Sequence, residues 1–329
     1  MILVAGLVAG RFALTSASSS ANDPSASGSL GVSRPEVTPA RGQHSRPAST
    51  APATATRPRP ASSGPATHAA PAAPGTSAAR ATTGTGATPS AVAITLPPLN
   101  ATADYQLGGA YTPAAGVRIV TRDRTDAPMP GSYNICYVNA FQTQSDELSF
   151  WTGSHADLLL MSGGAPVVDP DWSEDLLDIS TPQKRERLAA IVGGWLRGCH
   201  QSGFQAVELD NLDSWTRSDG LLTADEAVAY LRLLAARAHV LGLAVAQKNA
   251  AELSTRRAET GADFAVAEEC VEYGECGAYA SAYHNHVIVI EYDRGDFTAG
   301  CQQWPGLSVV LRDRDLVPRG ASGYVYATC

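Results

Sequence analysis

The sequence predicts an α/β protein, a (β/α)8 TIM barrel preceded by a long disordered segment rich in Ala, Ser, Thr and Pro. Three observations favour this fold. From residue 117 onward, short apolar or β-branched runs alternate with helical patterns, the runs number eight, and nearly every run ends in polar side chains. Strands that alternate with helices indicate a parallel sheet, and eight such units close into a barrel whose strand ends carry the chemistry.

The eight predicted strands are short and separated by connections long enough for helices in most cases. A Pro-containing loop joins the first two, and residues 176–180 could replace or supplement the third. In chain order the runs are 117–123, 133–141, 157–163, 204–211, 243–249, 263–269, 287–293 and 307–314.

Two of the predicted helices have clear boundary signals. Thr181 followed by Pro182 is typical of a helix start, because proline fits the first helical position. Thr223 and Glu226 have the spacing of a capping box, and Gly242 is expected to end that second helix.

The chain is expected to have three parts. Residues 1–20 begin with an apolar run that lacks a basic start, which indicates an atypical or incomplete signal segment. Residues 21–98 contain few large apolar side chains and cannot bury enough surface to offset the ordering entropy, so they are predicted to form a disordered linker. Residues 99–329 suit one barrel domain.

The predicted domain is strongly acidic. Before residue 99, seven Arg stand against Asp23 and Glu36, a net +5, so residues 99–329 carry −13 to give the overall −8. Such a charge disfavours nucleic acid and favours a cationic ligand, although ordinary solubility charge is the alternative. The N-terminal apolar run is too short to span a membrane, and a secreted monomer is expected.

Six cysteines, an even number, lie in the predicted domain and favour disulfides and export. Zinc is the competing interpretation, but there is no CxxC motif and no histidine at ligand spacing, so neither metal nor cofactor is expected. Of 15 connectivities, the predicted one is Cys270–Cys276, Cys301–Cys329 and Cys136–Cys199.

Carboxylates at the run ends are the main candidates for chemistry. Residues 203–215 place Glu208, Asp210 and Asp213 at the end of one apolar run, where a surface turn is the simpler alternative. Asp210 and Glu268 end the fourth and sixth runs and should face each other across the barrel mouth. Two facing carboxylates are what glycoside hydrolysis requires.

Further run-end residues are predicted to bind or orient a sugar. Lys248 is one of only two lysines beside 22 arginines, and its ammonium can pair with neighbouring carboxylates. About half of the aromatic residues near the run ends should line a cleft, namely Tyr105, Tyr111, Tyr137, Trp151, Trp172, Trp215, Tyr273 and Tyr292. The predicted substrate-binding residues are Asp123, Tyr137, Asn139, Glu208, Asp213, Lys248, Asn249, Glu269 and Tyr292.

Several motifs resemble one known family. They are DYQLGG at 104–109, YNICYVNAF at 133–141, LLDIST at 176–181, GFQAVELDNLDSW at 203–215, AQKN at 246–249 and FAVAEEC at 264–270. In combination they resemble glycoside hydrolase family 114, whose members are secreted TIM-barrel endo-α-1,4-polygalactosaminidases. The resemblance runs from about residue 103 to the C-terminus. This chain has Leu209 where many members have proline, and its tract 157–175 departs from the commoner pattern.

The resemblance implies cleavage of α-1,4-linked galactosamine polymers, which are cationic, without a cofactor. By residue match, the family's catalytic pair corresponds to Asp210 and Glu268, with Glu269 as the alternative to Glu268. Asp210 is assigned as nucleophile and Glu268 as acid/base, with retention of configuration expected. Three alternatives stay open: a glycan-binding barrel without catalysis, a glycosidase for another polysaccharide, and a metal-dependent enzyme that uses the acids at 208–213.

Overall fold

The structure is a computed structural model that describes residues 93–329. The predicted signal segment and linker lie outside the described residues, apart from 93–98. In this short stretch Ile94 and Leu96 pack against the barrel interior, and Tyr133 Oη donates a 2.7 Å hydrogen bond to the Thr95 carbonyl. The predicted domain boundary at residue 99 therefore falls inside a packed segment. Among the described residues, no helix is long and apolar enough to cross a membrane.

Eight parallel strands form a barrel-like sheet, and a ninth strand pairs antiparallel with the eighth. Each strand is hydrogen-bonded to the next one in the chain, as in a (β/α)8 barrel. In order they are β1 Ala103–Gln106, β2 Ile119–Asp123, β3 Tyr133–Asn139, β4 Ala206–Asp210, β5 Ala244–Lys248, β6 Phe264–Glu268, β7 Val287–Glu291, β8 Ser308–Arg312 and β9 Tyr326–Thr328.

Side chains join β8 to β1 and nearly close the sheet. Ser308 Oγ accepts a 3.0 Å hydrogen bond from the backbone N–H of Ala101, which precedes β1. Tyr326 Oη on β9 donates a 3.1 Å hydrogen bond to the Ala103 carbonyl on β1. These bonds satisfy backbone groups that would otherwise be exposed at the sheet edge.

One predicted strand is wrong. Residues 157–163 form a 3-10 turn, Ala156–Leu158, and a two-residue strand, Met161–Ser162, which pairs with Ala165–Pro166. The leucines at 158–160 are buried, but in a cluster outside the barrel. Residues 176–180 do not supply a barrel strand either, since Leu176 and Leu177 make only isolated bridges. The count of eight is confirmed because β1, which is short and half polar, takes the missing place.

Among residues 93–329, six α-helices accompany the sheet, and both predicted caps are confirmed. Thr181 Oγ accepts from the Lys184 N–H at 3.2 Å, and the Thr223–Glu226 capping box is complete. Gly242 follows the second of these helices in the left-handed conformation, at φ 77°. The helices are α1 Leu148–Ser154, α2 Pro182–Ser202, α3 Ala224–Val240, α4 Arg257–Thr260, α5 Cys276–Ala282 and α6 Arg294–Gln303.

All three predicted disulfides are present. Cys136–Cys199 ties β3 to α2, with 6.1 Å between the Cα atoms. Cys270–Cys276 closes the loop between β6 and α5, at 4.9 Å, and Cys301–Cys329 ties α6 to the C-terminal residue, at 5.6 Å. The bridges therefore fasten helices and a terminal segment to the barrel, which restricts the unfolded chain and stabilises the fold.

Candidate active site

Strand alternation decides which side chains enter the barrel. Ala206, Ala244, Ala246, Phe264 and Val266 pack in the interior cluster. Because side chains two apart share a face, the same alternation directs the last residues of β4, β5 and β6 inward. The inward residues above this apolar layer are Glu208, Asp210, Lys248 and Glu268. The polar layer therefore lies at the carboxyl ends of the strands.

Lys248 is the centre of this layer. Its ammonium nitrogen lies 3.2 Å from Glu208 Oε1, 3.1 Å from Asp210 Oδ2 and 3.2 Å from Glu268 Oε2. The lysine is only 2% exposed, so little solvent screens these pairs. One cation thus contacts three carboxylates that come from β4 and β6. These contacts match the expectation that the Lys248 ammonium pairs with neighbouring carboxylates.

Each of the three carboxylates also accepts a hydrogen bond from a tyrosine. Tyr105 Oη donates to Glu208 Oε1 at 2.6 Å, and Tyr137 Oη donates to Asp210 Oδ2 at 2.8 Å. Tyr292 Oη donates to Glu268 Oε1. The Lys248 ammonium is also 3.3 Å from Tyr105 Oη. The phenols disperse negative charge that a single ammonium cannot balance.

Burial and the shared lysine shift the pKa values of this layer. Burial raises the pKa of Glu208 to about 7, against the attraction of Lys248. For Lys248, burial alone would lower the pKa, but Asp210, Glu268 and Glu208 hold it well above its ordinary value. The ammonium is therefore charged at neutral pH, while Glu208 binds a proton in part of the molecules.

Asp210 and Glu268 shift in opposite directions. Burial raises the pKa of Asp210, and the neighbouring Glu268 adds to this. Burial would also raise the pKa of Glu268, but Lys248, Tyr292 and Asn249 outweigh it and lower the value. Lys248 and its neighbours thus stabilise the ionised form of Glu268, whereas burial and the nearby Glu268 disfavour the ionised form of Asp210.

Two asparagines lie beside the carboxylates, and they have different partners. Asn249 Nδ2 donates to Glu268 Oε2 at 3.1 Å, and its Oδ1 accepts from the Glu268 N–H at 2.9 Å. Asn249 has φ 48°, a left-handed conformation that asparagine tolerates, so the chain turns sharply after β5. Asn139, in register with Asp210, donates from Nδ2 to Glu174 Oε2 at 2.8 Å.

Three predicted site residues have other partners. Asp123 is buried and accepts from the Thr125 N–H at 2.8 Å and from Gln144 Nε2 at 3.2 Å. Asp213 pairs with Arg217 Nη2 at 3.0 Å, and Glu269 pairs with Arg314. The remaining predicted residues form the connected group of Tyr137, Asn139, Glu208, Asp210, Lys248, Asn249, Glu268 and Tyr292. Within this group Glu208 is fully buried beneath the others, so it supports them from below.

Two further residues, Tyr105 and Glu174, contact this group but were absent from the predicted site. The sequence indicates Tyr105 only as one of several aromatic residues near the cleft, because the strand that carries it is short and lacks an apolar run. Glu174 lies in the two-residue strand Glu174–Asp175, far from any predicted strand end, and no sequence signal marks it. Of the other aromatics considered for the cleft, Trp151 is buried in the core, whereas Trp172 and Tyr273 are 65% and 64% exposed.

A metal ion shared by the acids at 208–213 does not fit this arrangement. The Lys248 ammonium occupies the position between Glu208 and Asp210 where such a cation would bind. Another group with ligand-like spacing, Cys270, Cys276 and Glu291, contains two sulfurs that are joined in a disulfide and cannot act as thiolates.

Tyr292→Phe is expected to raise the pKa of Glu268. The substitution removes a hydrogen-bond donor to the carboxylate and leaves the ring, so the acid dissociation constant should fall roughly tenfold. NMR titration of the Glu268 carboxyl carbon measures this. Tyr230→Phe is a matched control, because its buried hydroxyl has no hydrogen-bond partner within the described residues. An unchanged Glu268 pKa in Tyr292→Phe would contradict the hydrogen bond.

The chain is similar to one protein family and to several solved structures. The sequence profile of glycoside-hydrolase family GH114 matches residues 83–329. The crystal structure of Aspergillus fumigatus Ega3 in complex with galactosamine is similar at 21% identity, covering 72% of this chain and 98% of that chain, with a TM-score of 0.58. The glycoside hydrolase domain of PelA from Pseudomonas aeruginosa is 16% identical over 67% and 98% of the chains, with a TM-score of 0.47.

The comparison with curated proteins gives no match. The family match covers the whole barrel, including all eight parallel strands and the layer around Lys248. The chain therefore belongs to glycoside hydrolase family GH114 and is a glycoside hydrolase.

Proposed function

We propose that the protein is an extracellular, endo-acting glycoside hydrolase that cleaves α-1,4-linked galactosamine-containing polysaccharide with retention of configuration. One observation carries this proposal. Asp210 and Glu268, from β4 and β6, approach the same ammonium of Lys248 at the carboxyl ends of the barrel strands. Two carboxylates at such a site provide the nucleophile and the acid/base of a retaining glycosidase.

The two carboxylates lie close enough for a retaining mechanism. The oxygens of Asp210 and Glu268 that contact Lys248 lie 3.1 and 3.2 Å from its nitrogen, so these two oxygens are separated by no more than the sum of these distances. Carboxyl groups about 5–5.5 Å apart are typical of retaining glycosidases. Retention is part of the proposal, and the configuration of the first-formed product tests it.

The role of each carboxylate depends on the substrate charge. We assign Asp210 as nucleophile and Glu268 as acid/base. Burial raises the pKa of Asp210 in the free protein, and an ammonium group of the substrate near Asp210 would lower it. Asp210 is then ionised, as a nucleophile must be, and Glu268 supplies the proton to the leaving oxygen. The two carboxyls titrate as a coupled pair, so a ligand that stabilises one ionised form shifts both.

A cationic polymer fits the charge of the domain. Residues 99–329 carry −13, and the solved structure of the similar Ega3 contains galactosamine. Amino sugars without N-acetyl groups are positively charged at neutral pH, and an acidic surface raises their local concentration. The three disulfides support an extracellular location. We also propose that the chain is organised in three parts, 1–20, 21–98 and 99–329, and that the protein is a monomer.

Product analysis tests the function. Purified protein is incubated with defined α-1,4-linked galactosamine oligomers, and reducing ends, product lengths and the first-formed anomer are measured. We expect internal cleavage and α-configured products. Binding without release of reducing ends would indicate a glycan-binding barrel, β-configured products would indicate inversion, and cleavage of only other polysaccharides would contradict the substrate.

A further inference from the structure

A hairpin outside the barrel strands adds a carboxyl to the candidate active site. The two-residue strands Val168–Asp169 and Glu174–Asp175 pair antiparallel between β3 and α2. Glu174 accepts the 2.8 Å hydrogen bond from Asn139, and Asn139 lies beside Asp210 in the strand register. The hairpin therefore holds Glu174 over the strand ends, next to Asp210.

The charges around Glu174 are unbalanced. Arg217, which follows β4, pairs with Asp169 at 2.5 Å and with Asp213 at 3.0 Å. Lys248 is shared by the three carboxylates of the central layer. Among the residues that the structure describes, no cation lies within ion-pair distance of Glu174. Glu174 therefore has a neutral hydrogen-bond donor, Asn139, and no ion-pair partner among the described residues.

We propose that Glu174 binds the ammonium group of the sugar next to Asp210 and thereby selects amino sugars with a free amine over N-acetylated ones. This inference rests on the proposed function and adds a specificity-determining residue to it. The carboxylate accepts a charge-assisted hydrogen bond from the ammonium, which is stronger than a bond between neutral groups. An acetamide group is neutral and larger than an ammonium group. Its binding would leave the half-buried carboxylate of Glu174 without a cation, and the desolvation of that carboxylate would not be compensated.

The surroundings of Glu174 are suited to a ligand that supplies charge. Burial raises the pKa of Glu174 to about 8, against the hydrogen bond from Asn139 on β3. Asp210 on β4 and Asp169 on the same hairpin raise it further, while Arg217 lowers it. A bound ammonium reverses this effect, because an adjacent cation stabilises the ionised carboxylate.

Glu174→Gln tests the inference. The substitution removes the charge but keeps an oxygen that can accept from Asn139, so the hairpin is expected to fold. Asp171→Asn is the matched control, since this exposed acid lies on the same hairpin and has no part in the site. Both variants and the wild-type protein are assayed for kcat and KM on an α-1,4-linked galactosamine oligomer and on its fully N-acetylated counterpart.

We expect Glu174→Gln to raise KM for the amine-bearing oligomer by roughly tenfold to a hundredfold, with a much smaller effect on kcat. Activity on the N-acetylated oligomer should change little, so the selectivity falls, and Asp171→Asn should behave like wild type. An unchanged ratio between the two oligomers, or an equal loss on both, would refute the role of Glu174 while leaving the proposed function intact. Wild-type protein that hydrolyses neither oligomer would refute the proposed function and this inference together.

Discussion

Asp210→Asn should lower kcat by about 10⁴-fold, the scale seen when a catalytic carboxylate is replaced by its amide. The amide cannot attack the sugar, although it keeps the size of the side chain and an oxygen for Tyr137. Glu268→Gln should lower kcat by roughly 10²–10⁴-fold, because it removes general acid and base assistance. Both losses are measured by release of reducing ends from galactosamine oligomers.

Azide identifies the role of each residue. In Glu268→Gln, azide can replace water in the attack on the covalent intermediate, which gives an α-glycosyl azide. In Asp210→Asn, azide can take the place of the missing nucleophile on an activated substrate and give the β-glycosyl azide. Rescue by azide also shows that each variant is folded. The opposite pattern of anomers would exchange the two roles, and full activity in both variants would remove the carboxylate pair from catalysis.

Lys248→Met should destabilise the protein by about 3–5 kcal/mol at neutral pH, since it leaves buried carboxylates without their cation. The lysine is buried, and its three carboxylate partners lie within 3.2 Å. Activity should also fall strongly, because Asp210 and Glu268 would hold protons at neutral pH. Denaturant unfolding of both proteins measures the difference in stability.

The difference in stability between wild type and Lys248→Met should grow as the pH rises. In wild type the lowered pKa of Glu268 contributes stability above its unfolded value, and this contribution is lost as the pH falls, whereas the raised pKa values of Asp210 and Glu208 contribute stability at low pH that is lost as the pH rises. In Lys248→Met, burial would raise the pKa of all three carboxyls, so the variant is most stable below about pH 4 and loses stability as the pH rises. The two proteins should therefore differ little near pH 4 and most near pH 8.

Lys184→Met is the matched control, because Lys184 is the other lysine of the chain and pairs with Asp178 beside α2. That pair is partly exposed, so its loss should cost about 1 kcal/mol or less. Equal destabilisation of Lys248→Met at pH 4 and pH 8 would contradict the charge-balancing role of Lys248.

Seven of the eight barrel strands could be predicted from the sequence because their apolar runs are local and end in polar residues. The exception shows the limit of this signal. Leu158, Leu159 and Leu160 form an apolar run, but they are buried in a cluster beside the barrel. Asp104 and Gln106 make β1 look like a loop, whereas their side chains are hydrogen-bonded to each other inside the protein. An apolar run in the sequence indicates that its residues are buried, but it does not indicate which sheet or cluster they pack in.

The sequence by itself determined the barrel, the helix caps, the three disulfides and the position of Asp210 and Glu268 at the ends of barrel strands, because alternation along a strand and order around a barrel are set by position in the chain. Only the tertiary structure decided that Lys248 is shared by three carboxylates, that Tyr105 contacts Glu208, and that Glu174 lies over the strand ends. These contacts join residues far apart in the chain, and closure of the barrel brings them together.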